Sequence, residues 1–206
     1  MYKIHEIFKA SSSPADYARR YCEHMHAVLT ALDVDAVAKA IDAMEATSAA
    51  GRTMYFIANG GSAATASHFV NDFVAGSYVE GAPKLRAFCL SDNAASVTAL
   101  ANDVGYDDIF AWQLKVNMVP GDLVYAMSVS GNSENIIRAV EYARANGGTT
   151  VGVSGFDGGR LAKAAEIPIV IPSTKDEYGP VEDVFNILDH IIIGYIAQRR
   201  GKTLHH

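Results

Sequence analysis

The strongest constraint on this chain is one local pattern that occurs twice. Residues 54–58 form a short apolar run, Asn59-Gly60-Gly61-Ser62 breaks it, and residues 63–74 recur with helical spacing. Residues 123–127 form another apolar run, 128–133 a turn of small residues, and 134–145 another helical stretch. A run that is apolar at every position is buried on both faces of a sheet, and a helical connection returns the chain parallel to its start. Residues 86–90, 149–154 and 167–171 read as further strands. Residues 180–199 read as a closing helix with Pro180 in its first turn, where proline is tolerated. Strands alternating with helices predict an α/β fold: a three-layer, doubly wound, five-stranded parallel sheet. Ligands in such sheets bind at the carboxyl ends of the strands.

Ahead of the sheet, Ser11-Ser12-Ser13-Pro14 reads as a breaker, with Ser13 as N-cap and Pro14 at the first helical position. Tyr17, Tyr21, His24, Met25, Val28 and Leu29 then recur at three- and four-residue spacing. Val37, Ile41 and Met44 share a face of a second helix over 34–49. The chain therefore divides into an N-terminal helical segment, 1–50, packing on the core or on a neighbouring subunit, and an α/β domain over 51–200. A length of 206 residues suits one domain with such an appendage. With 50% hydrophobic and 19% charged residues, intrinsic disorder is excluded. A net charge of −6 speaks against nucleic acid as a partner, because phosphate backbones need a cationic face. The longest apolar stretch, 191–197, contains Gly194 and falls far short of the about 20 residues that span a bilayer, so no membrane partner is expected. Residues 1–13 lack an apolar signal core, and Cys22 and Cys89 make no disulfide framework, which suits a reducing cytoplasm. Leu204-His205-His206 is assigned no function.

The loops carry the first chemistry. Asn59-Gly60-Gly61-Ser62 lies where a strand ends and a helix opens. Free backbone N–H groups and the helix dipole favour an anion there, and the glycines permit close approach. Ala64 stands where a dinucleotide loop would place its last glycine, and no Gly-Lys-Ser/Thr follows, which disfavours dinucleotides and nucleoside triphosphates. An ordinary βα turn with a serine cap accounts for this loop equally well. Ser128-Val129-Ser130-Gly131-Asn132-Ser133 is less ordinary. Its three hydroxyls and one amide around a second helix N-terminus exceed what capping requires, and they form a neutral hydrogen-bonding cup suited to a phosphate.

Asn-Gly-Gly-Ser at 59–62, Ser-x-Ser-Gly-Asn-Ser at 128–133 and Gly-x-Asp-Gly-Gly at 155–159 together resemble the signature of sugar isomerase (SIS) domains. Asn102-Asp103-x-Gly-x-x-Asp107 is similar to the phosphoheptose isomerases among them. The resemblance covers nearly the whole chain. It implies a flavodoxin-like SIS fold and a phosphorylated sugar substrate bound by Asn59, Gly60, Gly61, Ser62, Ser128, Ser130, Asn132 and Ser133. The implied reaction is aldose–ketose isomerisation of sedoheptulose 7-phosphate to D-glycero-D-manno-heptose 7-phosphate through an enediol(ate). A homotetramer with sites between subunits, and no nucleotide cofactor, are implied as well.

The helices carry the second chemistry. His68 and Asp72 stand four apart, about 6 Å from each other on one helix face, with Asn71 beside them. Glu182 and His190 stand eight apart on the last helix, about 12 Å and 80° from each other. A His/Asp/Glu/His set suits a borderline cation such as zinc. Spacing alone favours plain helix-surface residues, since Glu182 and His190 meet at one ion only by converging from opposite ends. The resemblance reverses that order. It implies that Asp72 and His190 are the proton-transfer pair and that His68, Asp72, Glu182 and His190 hold zinc, with Glu182 also among the substrate contacts. The family has Glu at position 72 and Gln at position 182, so Asp72 loses a methylene of reach and Glu182 adds negative charge. Gly76 replaces a family Arg that contacts the sugar phosphate; Lys84, Arg86 and Lys175 are candidate substitutes, with solvated charge as their ordinary role. Asp103 matches a family residue near the sugar hydroxyls, and capping a turn explains it equally well. An ion on all four ligands would leave Asp72 and His190 no free base. Two other readings stay open. One is a non-catalytic phosphosugar-binding SIS module, disfavoured by the carboxylate at 72 and the histidine at 190. The other is an isomerase of another phosphosugar, motivated by Gly76, Asp72 and Glu182.

Overall fold

A computed structural model describes residues 3–175 and 177–202; Leu204-His205-His206 lies outside them. Three helices, α1 (Lys3–Ala10), α2 (Pro14–Thr30) and α3 (Val34–Ala49), precede the sheet. α2 starts as the sequence predicts: the Ser13 hydroxyl accepts the Asp16 N–H, with Pro14 at the first position. α1 goes beyond the sequence reading, although Ile4, Ile7 and Phe8 recur at helical spacing; it buries no side chain fully. The chain continues through β1 (Thr53–Ile57), α4 (Gly60–Gly76), β2 (Arg86–Cys89), α5 (Ala94–Asp103), a 3-10 turn (Tyr106–Asp108), α6 (Ile109–Asn117), β3 (Leu123–Ser128) and α7 (Glu134–Ala145). It closes with β4 (Thr149–Ser154), α8 (Leu161–Ala164), β5 (Ile167–Val170) and α9 (Tyr178–Arg199).

All five strands are parallel, in the order β2-β1-β3-β4-β5, the flavodoxin-like order expected. The winding direction reverses between β1 and β3. Side chains alternate along each strand. Met54, Phe56, Tyr125, Met127, Val151 and Val153 face α3, α4 and α9, while Tyr55, Ile57, Val124 and Ala126 face α6, α7 and α8. Both alternating sets are apolar, and that is why the strands read as unbroken apolar runs.

The N-terminal helices join the first of these layers. α3 buries Val37, Ala40, Ile41 and Met44. α2 is tied to the start of α9 by the Tyr21 hydroxyl, which donates to Asp183 at 2.5 Å, and by His24 Nε2, 2.9 Å from the buried Glu177 Oε1. α4 is anchored by Phe69 and Phe73, whose rings pack on Phe56 and Tyr125 with centroids 4.9–5.7 Å apart. Residues one position earlier lie about 100° around the helix. Anchoring those two rings to the sheet therefore turns His68 and Asp72 toward α9. Cys22 is exposed and Cys89 buried, both free. No described helix is long and apolar enough to cross a membrane.

The Gly-x-Asp-Gly-Gly turn after β4 buttresses the serine loop. The Leu161 N–H donates to the Gly131 carbonyl and the Gly155 N–H to the Val129 carbonyl, each at 2.9 Å. Gly131 and Gly159 have φ of +64° and +57°, and a Cβ on Gly131 would sit 2.2 Å from the Gly158 carbonyl oxygen. Only glycine meets both demands. Gly131→Ala is expected to lower the melting temperature by roughly 4–12 °C, the equivalent of about 2–3 kcal/mol. Gly194→Ala on α9, where nothing lies within 4 Å of a Cβ, is the control and leaves the melting temperature unchanged or raised. Paired thermal melts check both.

Candidate active site

At the β1/β3 reversal the N-termini of α4 and α7 lie side by side. Asn59 is the N-cap of α4 but makes no side-chain cap. Its amide pairs reciprocally with that of Asn135, each Nδ2 donating to the other's Oδ1 at 2.9 Å, and the Tyr106 hydroxyl donates to the same Asn59 oxygen at 2.8 Å. Ser133, the N-cap of α7, also makes no cap; its Oγ lies 3.2 Å from that of Ser128. Ser13, Asp33 and Asn93, by contrast, cap α2, α3 and α5 in the usual way. The first turns of α4 and α7 thus open, without side-chain caps, on a cavity of about 270 Å³ lined by Asn59, Gly60, Gly61, Ser62, Ser128, Ser130, Ser133, Tyr178 and Glu182. Two helix N-termini and four serines offer this cavity neutral donors suited to an anion, with no Lys or Arg in the lining and with the Glu182 carboxylate on its wall. A second cavity, about 490 Å³, shares Ser130 and Tyr178 and adds Asn132, Asp157 and Lys175.

Further along α4, a second group forms where α4 meets α9. His68 Nε2 lies 3.3 Å from His190 Nε2, 3.8 Å from Asp72 Oδ2 and 3.7 Å from Asp189 Oδ2; His190 Nε2 lies 4.0 Å from Asp72 Oδ2. Asp72 and Asp189 are 2% and 0% exposed. Asp72 Oδ2 and both Asp189 oxygens have no hydrogen-bond partner, an arrangement that costs several kcal/mol unless a cation or proton compensates. One ligand atom from each of the four residues lies within 4.8 Å of all the others. A tetrahedral ion with bonds of about 2.0–2.2 Å sets its ligand atoms about 3.3–3.6 Å apart. The donor set and its spacing therefore fit a divalent cation. Burial, with the charge of Asp72 adding to it, pushes the Asp189 carboxyl up to about 8.

The family pattern described as SIS domain matches residues 17–155. This chain belongs to the SIS-domain family. It is 38% identical over 176 residues to a phosphoheptose isomerase of Trichlorobacter lovleyi, covering 85% of this chain and 86% of the relative. It is 34% identical over 161 residues to one of Rhodospirillum rubrum, covering 78% and 84%. The solved structure of a phosphoheptose isomerase from Francisella tularensis superposes with a TM-score of 0.80 at 26% identity, covering 90% of this chain and 99% of that one.

Within this SIS domain the sequence-derived candidates divide. His68, Asp72 and His190 come together, and the serines converge on the cup. Glu182 joins the cup and is not in the His/Asp group. Its Oε1 lies 3.0 Å from where a Cβ on Gly61 would sit, so Gly61 makes room for a carboxylate as well as for a ligand. Asn132 faces the buttressing turn: its Oδ1 accepts the Arg160 N–H at 3.2 Å and its Nδ2 donates to the Ser130 carbonyl at 2.8 Å. Asp103 is the exposed last residue of α5, accepts from Asn102 Nδ2 at 2.9 Å, and does not line the cup. Arg86 pairs with Thr53 at the amino end of the sheet, the edge opposite the cup, and Lys84 lies just before it. Lys175 alone of the three lines a cavity beside Ser130. Gly76 is the buried last residue of α4. Asp189, Asn135 and Tyr106 escaped the sequence reading. A signal for Asp189 existed, since Glu182, Asn186 and Asp189 recur at four- and three-residue spacing along one stripe of a largely apolar helix.

The raised carboxyl has a consequence for stability. Without a cation, the folded protein keeps a proton on Asp189 that the unfolded chain releases above about pH 4. That stabilisation is full below pH 4 and is lost as pH rises toward and through about 8. Asp72, His68 and His190 face the same group. In chelator-treated protein the melting temperature is expected to fall between pH 5 and pH 8, and Asp189→Asn flattens that slope. Thermal melts across this range check it.

Proposed function

We propose that the chain is an aldose–ketose isomerase that interconverts sedoheptulose 7-phosphate and D-glycero-D-manno-heptose 7-phosphate. The observation that carries this reading is that α4 bears both halves of the site. Its N-terminus helps form the anion cup, and its next turns present His68 and Asp72 to α9. Six residues separate Ser62 from His68, about 9 Å along the axis, the reach of an extended sugar phosphate. The phosphoheptose isomerase relatives support the same substrate class.

The substrate phosphate lies on the free N–H groups of α4 and α7 and on the hydroxyls of Ser62, Ser128, Ser130 and Ser133. Asp72 and His190 divide the base and acid roles. Asp72 Oδ2 is buried and has no donor, so it is positioned to accept a proton. His190 Nε2, 4.0 Å away, serves the oxygens. The proton leaves the carbon beside the carbonyl, that C–H pair becomes the double bond of the enediol(ate), and the carbonyl oxygen gains a proton. The reverse steps at the neighbouring carbon complete the exchange without net oxidation. Zinc held by His68, Asp72 and His190 would polarise the carbonyl and stabilise the enediolate, and Asp72 and His190 would then transfer protons only on leaving the ion.

The sites lie between subunits of a homotetramer. In the isolated chain the His68 and His190 side chains are 45% and 60% exposed, and Val74, Ile191 and Tyr195 are exposed on the same two helices. The two free cysteines suit a cytoplasmic location. A second reading, another phosphosugar as substrate, is favoured by Gly76 and by the Glu182 carboxylate in the cup.

An NMR assay with sedoheptulose 7-phosphate, run with zinc and with chelator, tests the proposal. The wild type converts it in at least one condition. Asp72→Asn and His190→Ala each slow turnover by about 100-fold or more while phosphosugar binding persists. Unchanged isomerisation in either variant sinks the assignment. Conversion of a different phosphosugar alone moves it to the second reading, and no conversion of any leaves a binding module. Ser128→Ala, which removes one hydroxyl from a charged ligand, is expected to raise KM about 10-fold or more with a smaller effect on kcat.

A further inference from the structure

We infer that Asp189 is the fourth ligand of the cation site, so that the site is His68, Asp72, Asp189 and His190, and that Glu182 takes no part in it. The inference rests on the proposed function only for the purpose of the site, and not for its existence.

Three observations carry it. Asp189 is fully buried, yet neither of its oxygens has a hydrogen-bond partner. A carboxylate in that state is rare unless something held in the site compensates it. Its Oδ2 lies 3.7 Å from His68 Nε2, beside separations of 3.3, 3.8 and 4.0 Å among His68, His190 and Asp72, near the edge of a tetrahedron around an ion with ordinary bonds, and all four ligand atoms lie within 4.8 Å of one another. Two imidazoles and two carboxylates around a divalent ion sum to no net charge, which suits a pocket whose acidic members are withdrawn from water.

Glu182 cannot stand in for Asp189. Seven residues separate them on α9, about 10.5 Å along the axis, and the Glu182 carboxylate already lies against Gly61 at the mouth of the cup. Asp189, two turns further along the same stripe, brings a carboxylate oxygen to 3.7 Å from His68 Nε2 and joins the group with Asp72 and His190. The Glu182 carboxylate is thereby left to the cup.

The test is zinc affinity by titration calorimetry on the full chain, with the visible spectrum of the cobalt-loaded protein as a second readout. Neither measurement needs substrate. Asp189→Asn keeps the shape and removes the charge; it is expected to weaken zinc binding by about 100-fold or more and to alter the tetrahedral cobalt spectrum. Glu182→Gln is expected to keep zinc affinity within about threefold and the cobalt spectrum unchanged. Circular dichroism confirms that each variant folds, and Asp189→Ser serves if Asp189→Asn does not. Wild-type protein that binds no zinc, an Asp189 variant that binds it as wild type does, or a Glu182→Gln protein that loses the site overturns the inference. If zinc binds through Asp189 but sedoheptulose 7-phosphate is not turned over, the ligand set stands and the proposed activity falls.

Discussion

The reversal of winding direction between β1 and β3 is the constraint from which the rest of the site follows. Two parallel strands whose connections leave in opposite directions bring two helix N-termini to one place, with no connecting chain between them. Each N-terminus carries N–H groups that no residue of its own helix can satisfy. At α2, α3 and α5 side chains solve that problem, through Ser13, Asp33 and Asn93, while α6, α8 and α9 start without a side-chain cap. At the reversal side chains do not solve it either. Asn59 spends its amide on Asn135 across the gap, and Ser133 faces Ser128. The donors stay unclaimed by side chains although the protein as a whole is acidic.

The acidic side of the site has a comparable logic. Phe69 and Phe73 hold α4 on the sheet through Phe56 and Tyr125. That anchoring is energetically strong, since truncating such a buried ring costs about 3–5 kcal/mol. It sets the rotation of α4, and the rotation sets where His68 and Asp72 point. α9 is held as firmly, by Val184, Phe185, Leu188 and Ile192 in the same core. Two rigid apolar helices thus press two carboxylates into a dry seam. Their uncompensated burial is a local cost that the surrounding core offsets, a pattern expected where a protein sacrifices stability to hold reactive groups.

The glycine-rich turn after β4 shows how a motif can be tied to function without touching a ligand. Gly131 and Gly159 meet backbone to backbone, and Asn132 joins them through the Arg160 N–H. The serine loop is rigid because a neighbouring turn fills the space a side chain would take. Charge follows the same economy. Arg138 and Arg160 lie close to the start of α7 but are committed to Glu134 and Asp108. The cup is left to neutral donors.

The sequence by itself determined the strands, their parallel order and the two small-residue loops that line one cavity. Those features are written in short-range patterns: apolar runs, small-residue turns, and cap residues at helix starts. It also determined that His68 and Asp72 share a face, because four residues on a helix leave no other choice. The partners across the helix seam were decided only by the tertiary structure. Glu182 and Asp189 lie on the same stripe of α9, and nothing local distinguishes which one meets His68. The axial offset between α4 and α9 makes that choice, and the offset comes from how two apolar faces interlock on one sheet. The same is true of α5 and α6, whose partly buried faces carry weak periodicity, and of Asn59, whose amide looks like a cap until the fold brings Asn135 within reach.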